Sequence, residues 1–304
     1  MEAAAVIARL VAFASAVILF GAPLFFLYSL PAEVQRRPTP STRPVLAGAA
    51  FLALLSAAAT LVLQTAIMAG DPSAGLDPST LGDVLGGSAF GVSIIVRLAA
   101  AALALAAASF ARSGPRLWRG LVGLGAIGLC ALAWAGHGAA DPGLAGAFHT
   151  AADLSHLLAA GVWLGALAAL TMLLANSTAD APHQAALHRA LEGFSGIGST
   201  VVAVIVATGL VNGWFQVGPD RLAQLLATRY GGLLLLKLAI FTAMLGFAAL
   251  NRFQLTPALE RSLGRDSSPA LVALRRSVLF ESLAGLGVLF LVAWLGELAP
   301  ISAA

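Results

Sequence analysis

The chain has 304 residues, of which 59% are hydrophobic and 10% charged, with a formal net charge of +3. So much apolar sequence with so little charge excludes an ordinary soluble domain and points to an integral membrane protein. An outer-membrane barrel is excluded as well, because the apolar runs lack alternating strands of about ten residues. The small positive excess comes from arginines in loops that set topology, and gives no indication of nucleic-acid binding.

A helix needs roughly 20 apolar residues to cross the hydrocarbon core. Eight stretches qualify, near 6–30, 44–69, 84–110, 117–136, 144–175, 194–217, 231–250 and 276–298. The predicted fold class is all-α, a polytopic membrane helix bundle with eight transmembrane helices forming a single membrane domain over 1–304. Span one carries Arg9, and its basic residues follow the apolar run, so it is expected to be a retained helix and not a cleaved signal peptide. Span two ends near Met68. Span three carries Arg97 near mid-membrane, at a depth comparable to Asp153, where the two charges would stabilise each other as an ion pair. Span four carries Cys130 and Trp134, with His137 just beyond it. The connection after span five holds His183 and His188. Span seven carries Lys237. A longer polar connection is expected from Asn251 to Arg275, containing Pro257 and Pro269. Span eight carries Glu281, placed to meet Asn251 or Arg252. Glycine pairs at helical spacing, Gly82 and Gly86, Gly87 and Gly91, Gly161 and Gly165, and Gly209 and Gly213, are packing signals.

Basic residues concentrate near cytoplasmic helix ends. Arg36, Arg37 and Arg43 follow span one, Arg112, Arg116 and Arg119 span three, Arg189 span five, and Arg252, Arg261, Arg265, Arg275 and Arg276 span seven, whereas the intervening connections hold only Arg221 and Arg229. Both termini are therefore expected to face outward, together with the loop holding His137, Asp141 and His149.

That loop opens the most informative segment, GHGAADPGLAGAFHTAADLSHLLAAGVWLGALAAL from Gly136 to Leu170, which contains three of the five histidines. His149, Asp153 and His156 sit at i, i+4 and i+7, within about 60° of one another on one helix face. At about 1.5 Å per residue the stripe descends roughly 10 Å into the membrane. A carboxylate in hydrocarbon is costly, so Asp153 should face the bundle interior, a cavity or a cation. Cys130, Trp134 and His137 repeat the spacing on the preceding antiparallel helix. Imidazole and thiolate both suit copper, and a carboxylate beside a histidine fixes its tautomer. His156, His149, His137 and Asp153 are the candidate metal residues, with Cys130 and Met68 as additional candidate donors. Cys130 also fits as a small buried hydrophobe, Met68 as core filling, and His137 and His149 as interfacial residues. Arg9, Arg97, Lys237 and Glu281 are intramembrane charges that each need a partner or water, and structural pairing suits them at least as well as transport coupling.

The order of LFGAPLFFLY (Leu19 to Tyr28), HLLAAGVWLGAL (His156 to Leu167), TGLVNGW (Thr208 to Trp214), TRYGGLLLLKL (Thr228 to Leu238), NRFQLTPAL (Asn251 to Leu259) and the Glu281 helix resembles the copper resistance protein D (CopD) family over nearly the whole chain. His156, Trp163, Gly165, Asn212, Tyr230, Gly231, Lys237, Asn251, Arg252 and Glu281 fall on the family pattern. The resemblance implies an eight-helix protein of the bacterial cytoplasmic (inner) membrane that handles copper, as Cu(I) or Cu(II), alongside a small periplasmic CopC-like protein. Two features depart from it. Arg9 is followed by Leu10, Val11, Ala12 and Phe13, without the histidine common in the family, and only Met1, Met68, Met172 and Met244 are available as thioethers.

The expected function is copper transport or delivery, with import from the periplasm through the outer-facing His/Asp cluster, and not enzymatic catalysis. No P-loop is present to drive a pump. Two alternatives stand beside it: a haem-binding electron carrier, which needs opposed histidines at similar depth, and a ligand-free membrane partner of a periplasmic copper chaperone. The topology makes the first prediction. A reporter fused near Pro142 is expected to show extracytoplasmic activity and one fused near Arg189 cytoplasmic activity; the reverse pattern would put the histidine cluster on the wrong face.

Overall fold

The computed structural model describes residues 2–36, 38–134, 143–175, 181–262 and 268–303. The described chain is helical, with no strand: α1 (Glu2–Ser29), α2 (Ala32–Arg36), α3 (Thr42–Ala69), α4 (Pro78–Gly87), α5 (Ala89–Phe110), α6 (Pro115–Trp134), α7 (Gly143–Ala175), α8 (Ala181–Val217), α9 (Arg229–Leu250), α10 (Thr256–Ser262) and α11 (Ser268–Leu295). Among the described residues eight helices are long and apolar enough to cross a membrane, formed by α1, α3, α5, α6, α7, α8, α9 with α10, and α11.

α1 is the axis. It packs on α3, α6, α7, α8 and α11, and buries Phe13, Leu19, Phe25 and Phe26 among them. By contrast α9 buries only Tyr230, Gly231 and Met244, so most of its surface is left to lipid. Lipid tails are as apolar as leucine, so burial alone draws no helices together, and close backbone approach has to supply the attraction. Here Gly161 and Gly165 of α7 face Gly21 of α1. A Cβ on Gly21 would run into the Gly161 carbonyl and come to 2.7 Å from Gly165 Cα. The Gly161 and Gly165 pair acts as the sequence suggests, while Gly21, which completes it, sits alone in an aromatic run and gives no such signal. Of the other expected pairs only Gly91 lies close to backbone, that of Val84 and Leu85 in α4. Gly82, Gly86, Gly87 and Gly213 have open space where a Cβ would stand, and Gly209 faces an imidazole.

Both ends of the bundle are tied by polar contacts. At one end Arg43 donates to the Ala108 and Ser109 carbonyls (2.7–3.0 Å), satisfying the last turn of α5. Trp118 Nε1 donates to the Gln35 carbonyl at 3.1 Å. At the other end Tyr230 Oη donates to Gln216 Oε1 at 2.7 Å, and Arg221 reaches the Ile301 carbonyl at 2.5 Å. In the connection between α3 and α4, Asp77 caps α4 by accepting from Ser79 and Thr80, and these hydrogen bonds hold its carboxyl down at about 2.

Three expected boundaries shift. The span placed near 84–110 is two helices, broken at Ser88, whose extended backbone lets its hydroxyl accept from Gly91 N at 2.9 Å. α8 begins at Ala181, well before 194. The expected polar connection from Asn251 to Arg275 is largely helical, because α9 runs on through a π turn (Asn251–Leu255) into α10, and α11 starts at Ser268. Hydropathy marks where a helix enters lipid but not where it ends, and alanine, leucine, glutamine, glutamate and arginine extend it into water.

Gly21→Val is expected to lower the melting temperature and folded yield sharply in micelles, by at least the ~1–3 kcal/mol of core overpacking. Gly82→Ala, in open space inside α4, should hold or slightly raise it. Equal behaviour of the two variants would show that the α1–α7 approach is not what holds the bundle.

Candidate functional site

The polar stripe of α7 lies against α8, which presents a matching stripe. Thr208, Asn212 and Phe215 also sit at i, i+4 and i+7, and in the antiparallel pair each meets one member of the first set. His149, 3% exposed, stacks on Phe215 with ring centroids 4.4 Å apart and planes 5° from parallel. Asn212 Nδ2 donates to Asp153 Oδ1 at 3.2 Å. His156 Nδ1 lies 2.9 Å from Thr208 Oγ1. Gly209 lies against that imidazole, where a Cβ would make ordinary van der Waals contact with His156 Cε1 at 3.5 Å.

The hydroxyl decides the tautomer. Thr208 Oγ1 has one proton, and it is directed at the Val204 carbonyl one turn back, 2.6 Å away. The oxygen then accepts from His156 Nδ1–H, which leaves Nε2 unprotonated with its lone pair available to a metal. Around this ladder, Asp153 lies within electrostatic reach of His149, Lys237 and Arg9. Lys237, from α9, also influences His156, and no hydrogen bond or ion pair joins it to another described residue. Asn212 Oδ1 is buried and has no hydrogen-bond partner among the described residues.

No three histidine, cysteine, aspartate or glutamate side chains among the described residues stand close enough to hold one metal ion. His149 and His156 are two turns apart, about 10 Å along the helix, so they are successive positions and not walls of one cage. His137 and Asp141 lie outside the described residues, and of the Cys130, Trp134 and His137 stripe only the Cys130 side chain is described, a half-buried free thiol. Met68 is 65% exposed and fills no core. The haem alternative finds no opposed pair of histidines, because both histidines whose side chains are described belong to α7.

The intramembrane charges are placed differently from one another. Arg9 pairs with Glu297 at 3.6 Å and donates to the Gly296 carbonyl at 3.2 Å. Glu281, 2% exposed, accepts from Trp163 Nε1 and from Asn251 Nδ2, each at 2.8 Å. The expected meeting with Asn251 is therefore made, and Trp163 is a second donor that spacing alone did not reveal. This node joins α7, α11 and the first residue of the π turn. Arg252 contacts Ser199 Oγ instead. The expected Arg97 pair with Asp153 does not form. α5 packs on α3, α4 and α6, and Arg97 lines a cavity there, while Asp153 is engaged by α8. Similar depth did not mean adjacency.

Comparison with known proteins fixes the family. A profile described as "Copper resistance protein D-like, N-terminal domain" matches residues 1–147, and one described as "Copper resistance protein D" matches residues 188–295. The "Copper resistance protein D" of Pseudomonas syringae pv. tomato is 37% identical over 96% of this chain and 95% of its own length. The chain belongs to the copper resistance protein D family. It is also similar to the "Inner membrane protein YebZ" of Escherichia coli (strain K12), 26% identical over 96% of this chain and 97% of that protein. The "Copper transport protein CutJ" of Bacillus subtilis (strain 168) is 32% identical over 43% of this chain and 24% of its own length. No solved structure matches it. Membership in this family sets the chain among membrane proteins of copper resistance and transport, and no enzyme family is indicated.

The Glu281 node makes a prediction. Glu281→Gln should be tolerated with a small loss of stability, because Asn251 can flip its amide and accept from the new donor with Oδ1, which has no partner now. Glu281→Leu strands the Trp163 and Asn251 donors and should cost about 1–3 kcal/mol for each unsatisfied group. Thermal unfolding of the purified variants checks the order; equal losses would mean that the two hydrogen bonds do not hold the node.

Proposed function

We propose that this protein moves copper across the bacterial inner membrane, importing it from the periplasm, and that the α7–α8 ladder is the entry route. One observation carries the reading: His156 has its Nδ1 tied to Thr208 Oγ1, so its Nε2 lone pair is left for a soft metal, one turn below Asp153. His137 and His149 receive the ion, Asp153 compensates its charge, and His156 passes it inward. Successive weak sites suit passage, since an ion that must leave cannot be held by a full coordination cage. Lys237 balances Asp153 when no copper is bound. Both termini lie in the periplasm, the chain works as one membrane unit around α1, and a CopC-like periplasmic protein delivers the metal. The names of the Pseudomonas and Bacillus relatives support copper as the cargo.

His156→Ala and Asp153→Asn are expected to reduce copper accumulation by cells and copper binding by the purified protein. Thr208→Val, which frees the imidazole to choose either tautomer, should weaken binding by about tenfold or more, in the range seen when a ligand's supporting hydrogen bond is removed. Thr208→Ser should restore it. Wild-type accumulation by well-folded His156→Ala protein would remove the ladder from the route; accumulation unaffected by the presence of the protein itself would remove transport.

A further inference from the structure

A second polar feature lies away from the ladder, in a cavity between α1, α3, α5 and α6. Its walls are alanine, glycine and leucine residues, including Ala12, Ala101 and Gly128, and only Ser56 and Arg97 carry polar side chains. Arg97 is 7% exposed, and no hydrogen bond or ion pair joins its guanidinium to another described residue. A guanidinium has five N–H donors and no acceptor, and stays protonated in proteins. It sits eight residues into α5, about 12 Å along the helix, where a charged group without a partner is costly. The charged side chain within its electrostatic reach is Arg9, which has the same sign and is itself held by Glu297. The Ser56 hydroxyl directs its proton to the Ala53 carbonyl at 2.9 Å and contributes no charge.

The cavity leaves about 30 Å³ open to the centres of water molecules. That is room for about two waters, or for one monatomic ion in their place. Water in that space would solvate the guanidinium but leave its charge in the membrane; a monatomic anion fits the space and cancels it. The geometry points to a built anion site in which Arg97, inside the cavity between α1, α3, α5 and α6, holds one small monovalent anion of the halide class. The site is independent of the copper route, which runs between α7 and α8.

The full-length protein in nanodiscs of zwitterionic lipid tests this by melting in sodium chloride or bromide against sodium gluconate at constant ionic strength. Chloride and bromide are expected to raise the melting temperature saturably by about 3 °C or more, as for any ligand bound only by the folded state, and gluconate is not. Arg97→Gln should abolish the difference. Ser56→Leu, which keeps the guanidinium and fills the cavity, should do the same and should also remove the broadening of the ³⁵Cl resonance expected with wild-type protein. Identical melting of the wild type in chloride and gluconate overturns the site without any variant having to fold. So does a chloride effect that survives in either variant, since it would arise elsewhere on the molecule.

Discussion

Everything else in this bundle depends on the contact between two backbones, α1 and α7, where Gly21 meets Gly161 and Gly165. Inside a bilayer no hydrophobic gain draws helices together, so contact must come from close packing and from polar groups that lipid cannot satisfy. The glycine crossing supplies the packing. It fixes one face of α7 against α1, which turns the His149, Asp153 and His156 face toward α8 and sends Trp163 to Glu281. A side chain at Gly21 would push α7 outward and move both polar sets at once.

The second kind of contact takes a different form at Arg9, Glu281 and Asp153. Arg9 uses an ion pair and a backbone carbonyl, both at the end of α11. Glu281 uses two neutral donors from two other elements. Asp153 has one amide donor and several nearby cationic side chains. The first two arrangements are closed, with the groups held where they are. The third leaves Asn212 Oδ1 and the Lys237 ammonium without a hydrogen-bond or ion-pair partner among the described residues.

Much of this was legible in the sequence, and the parts that were not share a cause. Apolar runs of membrane length gave the eight spans, and helical spacing put His149, Asp153 and His156 on one face. Spacing within a helix says nothing about which helix lies opposite. Thr208, Asn212 and Phe215 have the same spacing on α8, yet only Asn212 drew notice, because threonine and phenylalanine are ordinary in a membrane helix. A search for two stripes with equal spacing on consecutive spans would have found the ladder. Arg97 was misassigned for the same reason: depth along a span is readable, while the lateral order of helices is set by packing between distant segments. The helical extensions of α8 and α9 were missed because hydropathy follows the membrane and not the hydrogen-bonded helix.

The three rungs of the ladder also restrict how α7 and α8 can be assembled. Sliding α8 by about one turn, roughly 5.4 Å, in one direction would set His156 beside Asn212 and Asp153 beside Phe215 and Gln216, and would carry His149 past its stacking partner. Sliding it the other way would offer Asp153 the Thr208 hydroxyl and His149 the Asn212 amide, but would leave His156 against Ile205 and separate His149 from Phe215. Each slip loses at least one match that no neighbouring residue replaces. Two smooth apolar helices have many nearly equivalent alignments; these two have a single register, written by an order of rungs that does not read the same when shifted.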